Sequence, residues 1–292
     1  MTDSYYGRPV IKAPVWTPEI PAYFFSGGLG GASAGLAYVA ERRGNDVLAR
    51  RAWAVALGGL SASPALLISD LGVPSRFLNM LRMFKVTSPM SVGSWLLSVS
   101  GTATGFAAAN ALTGLFPATS AIAKPAAALF GLPLSTYTGA LIANTSVPVW
   151  HEARLELPAL FAGGAAASAG AAATVLTPTE HAAPARRLAL IGAAAELVTT
   201  NVMEHRLGKL AEPYHEGPSA ALARGAKVLT ALGGMVLAGW GHRRSAAIAG
   251  GAAILAGGAA ERFAVFKAGF ESANDPKYTV APQRERLAAR QP

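Results

Sequence analysis

Cysteine is missing from all 292 residues. Without thiolates the chain has no means of forming a disulfide, a cysteine-ligated iron–sulfur centre or a Cys-based zinc site of its own. Histidine is scarce too. The five, His151, His181, His205, His215 and His242, fall at the ends of apolar runs or between them. A haem inside a membrane usually takes histidine from within the helices, so no haem is expected. Charged residues make up only 14 % of the chain. The apolar runs are rich in Ala and Gly and poor in β-branched residues, which argues against the alternating strands of a transmembrane barrel.

Hydrophobic residues, by contrast, account for 52 %, and the mean hydropathy is +0.34, well outside soluble composition. Runs long enough to cross a bilayer, roughly 20 residues each, lie near 20–40, 52–69, 91–116, 124–147, 157–177, 185–204, 219–240 and 245–265. The chain therefore reads as an all-α integral membrane protein of about eight transmembrane helices. Residues 1–18 carry Pro9, Pro14 and Pro18 and no apolar signal core, so the first span itself is expected to direct insertion. The formal charge of +9 sits in pairs between spans: Arg42, Arg43, Arg50 and Arg51, then Arg186 and Arg187, then Arg243 and Arg244. That is a topology signal rather than a nucleic-acid one. Eight helices would put these pairs on one face with Lys124, and the positive-inside rule makes that face cytoplasmic, with both termini outside.

One passage is written twice. EIPAYFFSGGLGGASAG (19–35) and ELPALFAGGAAASAG (156–170) each follow a PVW tripeptide, at 14–16 and 148–150. Four helices separate the copies, so both enter the membrane from the same face, and the expectation is a parallel repeat of two tandem four-helix bundles. The divisions are an N-terminal segment 1–18, a first bundle 19–147, a second 148–266 and a tail 267–292. Pro21 and Pro158 fit first helical turns, and the ladder Gly27, Gly31, Gly35 allows close helix approach. The first copy has Tyr23, Phe24, Phe25 and Ser26 where the second has Leu160, Phe161 and Ala162. A polar, aromatic site is therefore expected in the first bundle. Between the second and third runs, Phe77, Leu78, Leu81 and Phe84 make a helical stripe, read as an amphipathic helix on the membrane surface. Trp16, Trp95 and Trp150 are read as an interfacial aromatic belt.

Four phrases, WTPEIPAYFFSGGLGG, DLGVPSRFLNMLRMF with SPMSVGSW, YTGALIANTSVPVW, and ERFAVFKAGFESANDPKYTVAPQR, occur in an order that resembles the NrfD/polysulfide-reductase membrane-subunit family over nearly the whole chain. The resemblance implies an eight-helix, two-bundle subunit of the bacterial cytoplasmic membrane. Such a subunit carries no redox metal of its own and exchanges electrons between a quinone, menaquinone or ubiquinone, and an iron–sulfur subunit. A molybdopterin-type catalytic subunit stands behind that partner, as in formate dehydrogenase or polysulfide reductase. The chain would be a redox subunit rather than a complete enzyme.

A quinone needs a flat apolar slot, donors to its carbonyl oxygens and a source of protons. The resemblance associates the quinone head with a polar residue near the start of the first helix, matched here by Glu19 or Tyr23, and with a tyrosine on the fourth, Tyr137. Asn144 lies near the end of that helix. Glu196 is the acid deepest in an apolar run, where a charge costs about 3 kcal/mol. Glu261 and Arg262 are its candidate partners, and a chain through Asn201 and Glu204 is a candidate proton path. Asp70, at a helix end, is a cap or a relay at the rim. The competing reading is a transporter or ion-translocating module with Glu196 at its centre.

Overall fold

A computed structural model describes residues 9–288, and no strand occurs among them. Each apolar run lies on one helix of 20 or more residues, save that the third, fourth, fifth and seventh runs overstep their helices at one end. The order is α1 (Glu19–Arg42), α2 (Asp46–Asp70), α3 (Pro89–Thr113), α4 (Pro117–Ala143), a short α5 (Pro148–Glu152), α6 (Leu157–Leu176), α7 (Ala183–Leu207), a short α8 (Glu212–His215), α9 (Ala220–Trp240), α10 (Arg244–Asn274) and α11 (Lys277–Ala288). Five of these, α2, α4, α6, α9 and α10, are long and apolar enough to cross a membrane. In α1 and α3 many positions are Gly, Ser or Thr, and α7 carries several charges.

Local chemistry sets the ends. Prolines open α3, α4 and α5, where a missing N–H costs nothing. Asn45 caps α2 by accepting from the Leu48 N–H at 3.2 Å, and its side-chain amide donates to the His181 carbonyl at 2.9 Å. Because of that cap, α2 starts before its apolar run and includes Arg50 and Arg51. At the other extreme, α10 runs past its apolar segment to Asn274, since Ala268, Gly269 and Ser272 are buried and a Cβ at Gly269 would overlap the Trp150 ring.

Two interlocked groups of helices result. In one, α1 packs on α2 and α4, and α3 packs on α4 and α2; in the other, α6 packs on α7 and α10, and α9 packs on α10. The groups meet where α1 and α4 lie against α6. Buried positions are mainly Ala and Gly, while Ile122, Leu129, Ile191, Val198, Leu232 and Met235 stand exposed around the outside. This inverted pattern lets small residues bring backbones together and turns bulky apolar side chains toward lipid. At the α1–α4 crossing, a Cβ on Gly31 would overlap the Gly131 carbonyl. Gly31→Ala is expected to cost about 1–3 kcal/mol by overpacking, seen as a lower unfolding temperature in detergent; an unchanged temperature would mean that the crossing is looser than described.

The short turns between helices gather at one end, called here the turn end, and the longer connections at the other, the loop end. The basic pairs sit at the turn end, and several do more than mark topology. Arg50 donates to the Leu112 carbonyl, Arg186 to Gly241 and Arg244 to Thr177, each at 2.9 Å, closing helix C-termini. Lys124 pairs with Glu41.

Two sequence expectations change. The stripe after Asp70 is a 3₁₀ helix, Pro74–Leu81, rather than an amphipathic α-helix. With three residues per turn, Phe77 and Met80 fall on one edge and turn inward, while Leu78 and Phe84 are exposed. Trp150 leaves the aromatic belt as well: it is fully buried, stacks on Trp16 at 5.8 Å and donates its indole N–H to the Val265 carbonyl at 2.8 Å. The two PVW motifs thus meet, although only the second is helical.

Candidate functional site

Beneath the 3₁₀ segment lies a cavity of about 100 Å³ enclosed by the first helix group. Its walls are apolar: Ile20 and Phe24 from α1, Leu67 from α2, Leu97 from α3, and Phe77 and Met80 from above. Two phenols line it. Tyr137 reaches across from α4, and its hydroxyl donates to the Pro89 carbonyl at 2.7 Å. The ring fits only because position 93 is glycine, where a Cβ would overlap it. Tyr23 is 3 % exposed, and among the described residues its hydroxyl makes no hydrogen bond. The cavity therefore has one phenol fixed by the backbone and one free to donate.

Asp70 closes the rim. As the last residue of α2, it accepts from the Thr17 N–H at 2.9 Å and the Thr17 hydroxyl at 2.6 Å, which pins the chain just before α1. Glu19 lies in the first turn of α1 but not on the cavity wall, with one carboxylate oxygen buried and unpartnered. Asn144 is elsewhere too. It lines an open cleft of about 620 Å³ at the loop end with His151, Tyr278 and Arg286. Of the four residues matched to a ligand, the structure brings Tyr23 and Tyr137 together and leaves Glu19 and Asn144 apart from them.

The second helix group has its own, smaller cavity of about 20 Å³, beneath the connection that carries α8. Glu196, Thr200 and Glu204 reach it from one face of α7, Tyr214 from α8, Lys227 and Thr230 from α9, and Glu261 from α10. Arg262 is ion-paired to Glu261, donates to the Phe161 carbonyl at 3.0 Å and lies 4.0 Å above the Phe161 ring. Lys227 binds Glu204, and His215 approaches the same carboxylate at 3.7 Å. Burial and the nearby Glu204 push the Tyr214 phenol above its ordinary range. Asn201 does not join this group. It sits on the exposed side of α7 and donates to Leu197 O, because the inward face is carried there by positions 196, 197, 200, 203 and 204.

Sequence reasoning missed Gly93, Lys227, Thr230 and Tyr214. One of them left a signal: Lys227 is an ionisable residue well inside the seventh apolar run, as unusual there as Glu196 in the sixth. Between the two cavities stand Phe24 and Phe161, ring centroids 5.8 Å apart. Phe24 lines the first cavity and Phe161 carries Arg262.

The polysulfide reductase family model NrfD_2 matches residues 1–274. The chain belongs to this family. No curated protein matches it. Members are multi-pass membrane subunits of oxidoreductase complexes; the family interacts with quinones in general and pairs with iron–sulfur and molybdopterin subunits. The described residues include no group of three or more His, Asp or Glu suited to a metal ion.

Proposed function

We propose that this NrfD-family chain is the quinone-reactive membrane subunit of a respiratory oxidoreductase, exchanging electrons with an iron–sulfur partner that serves a molybdopterin-type catalytic subunit. The reading takes all eight long helices as spans, in tandem bundles 19–147 and 148–266, with the turn end cytoplasmic and both termini outside. The observation that carries it is the pairing of Tyr23 and Tyr137 in one apolar cavity.

That cavity suits a quinone head in chemistry. Its walls combine aliphatic, aromatic and thioether side chains, and the free Tyr23 hydroxyl supplies a hydrogen bond to a carbonyl oxygen. At about 100 Å³ it is below the roughly 300 Å³ of a drug-sized pocket, so Phe77 and Met80 must move aside. Nothing in the 3₁₀ segment is fully buried, which makes that movement inexpensive. A bound quinone would contribute two-electron, two-proton chemistry at its oxygens. In this reading Tyr23 donates to one oxygen, Tyr137 is oriented by Pro89 O, and Asp70 holds the rim and exchanges protons with the loop end. The electrons come from a neighbouring subunit, because the chain has no metal-ligating cysteine.

Ion translocation centred on Glu196 receives less support. Toward the turn end, α6, α7, α9 and α10 pack through Ala167, Ala171, Ala189, Ala193, Leu237 and Ile254, a layer that holds the buried hydroxyls of Ser168 and Thr174 but no ionisable side chain.

The test is purification in mild detergent, with co-purifying subunits identified and bound quinone extracted. Wild-type protein is expected to carry an iron–sulfur subunit and quinone. Tyr23→Phe should retain the subunit and lose most of the quinone, about tenfold, for one hydrogen bond of roughly 1.4 kcal/mol. A lone chain with no quinone would overturn the reading.

A further inference from the structure

The small cavity of the second helix group contains more acceptors than donors. Glu196, Glu261 and Thr230 are 2 %, 6 % and 1 % exposed. One oxygen of each, Glu196 Oε2, Glu261 Oε1 and Thr230 Oγ1, is buried with no hydrogen-bond partner. All three residues line the same space of about 20 Å³, enough for one water molecule. The guanidinium of the adjoining Arg262 is already bound to Glu261 and to Phe161 O, and the Lys227 ammonium to Glu204. Two buried carboxylates thus face one cation, and a second unneutralised carboxylate at this depth is strongly disfavoured.

We infer that Glu196 and Glu261 form a proton-binding site that holds one exchangeable proton beside Arg262 and opens only to the loop end. A proton adds the missing positive charge. It also converts a carboxylate, which only accepts, into a carboxylic acid that donates, so that one O–H can serve an orphan acceptor directly or through one water. The step is uptake alone: a proton from solvent forms the O–H bond on a Glu196 oxygen, and no electron moves. A metal cation fits poorly, because a hard cation such as Ca²⁺ takes about six to eight oxygens and Arg262 repels it.

Access runs through groups already in place. Toward the loop end lie Glu204, with its own unpartnered Oε1, and Tyr214, whose hydroxyl is also unpartnered. Exposed His215 and half-buried Lys227 stand at the mouth. Around Glu196 the titratable and charged neighbours are Glu204 on its own helix, Tyr214 on α8, Lys227 on α9, and Glu261 and Arg262 on α10; α6 contributes no titratable side chain. In the opposite direction the packed layer of Ala, Leu and Ile, whose buried polar side chains are hydroxyls and none ionisable, closes the path. The site therefore equilibrates with one side only. This inference does not depend on the quinone reading.

Infrared difference spectra of the purified protein, recorded between acidic and alkaline buffer, test it. Wild type is expected to show one buried carboxylic-acid carbonyl band that shifts in ²H₂O, is lost in Glu196→Gln and is insensitive to sodium at fixed pH. Thr230→Val, which keeps the side-chain shape, should move that band without removing it, so the proposal remains testable if Glu196→Gln folds poorly. In Glu204→Gln the band should persist with its deuterium shift slowed at least several-fold. Absence of such a band in wild type, or its displacement by added sodium, would overturn the proposal.

Discussion

Arg262→Met is expected to destabilise the protein by about 3–5 kcal/mol, the range for removing one partner of a buried ion pair. The side chain is 3 % exposed and its partner Glu261 6 %. Methionine fills much of the same volume but leaves Glu261 without a counter-charge and Phe161 O without its donor. It also removes the cation held over the Phe161 ring at 4.0 Å, worth up to about 2 kcal/mol when desolvated. Gly164 shows how closely the guanidinium is housed, since a Cβ there would meet it. The measurement is thermal unfolding in detergent. The double variant Arg262→Met with Glu261→Gln should recover a good part of the loss, because the cost arises chiefly from the stranded carboxylate and not from the missing attraction. Equal stability of wild type and Arg262→Met would mean that water already solvates the pair.

Gly93→Ala is the second. The new methyl group and the Tyr137 ring cannot occupy the same space, so Tyr137 must leave the Pro89 carbonyl and enter the cavity. Overpacking should cost about 1–3 kcal/mol of stability. If the cavity binds quinone, affinity should fall by tenfold or more, about 1.4 kcal/mol. Two glycines on the same helix provide the control. Gly101 and Gly105 have open space where a Cβ would stand, so alanine at either should leave binding unchanged and stability equal or slightly higher, as expected from helix propensity. Quinone content of the purified variants, set against their unfolding temperatures, separates the two effects. A Gly93→Ala protein with full quinone content would remove Tyr137 from the site.

The helices were legible in the sequence because apolar run length is a local property: roughly 20 residues are needed to cross a hydrocarbon core, and a chain must satisfy its backbone hydrogen bonds within such a run. Absences were equally local, since a chain without cysteine cannot bring its own thiolate centre to any fold. The family, too, was readable from four phrases in order. Helix ends were less so. Hydropathy marks where a helix is apolar, not where its hydrogen bonding stops, and so α10 extends past its run. The 3₁₀ segment escaped because periods of 3.0 and 3.6 hardly separate over eight residues.

Residue order alone was enough for an all-helical membrane protein of the NrfD family, with Tyr23, Tyr137 and Glu196 as unusual polar residues within apolar runs. Tertiary structure alone decided which of them share a cavity. Tyr23 meets Tyr137 while Asn144 does not, because the helical turn that carries Asn144 opens onto a different cleft. Glu196 shares its cavity with Thr230 and Glu261 because Gly and Ala at the crossings let α7, α9 and α10 close around them. Spacing along one helix fixes which residues share a face, but which faces oppose one another depends on the summed packing of all the helices, and no single stretch of chain encodes that.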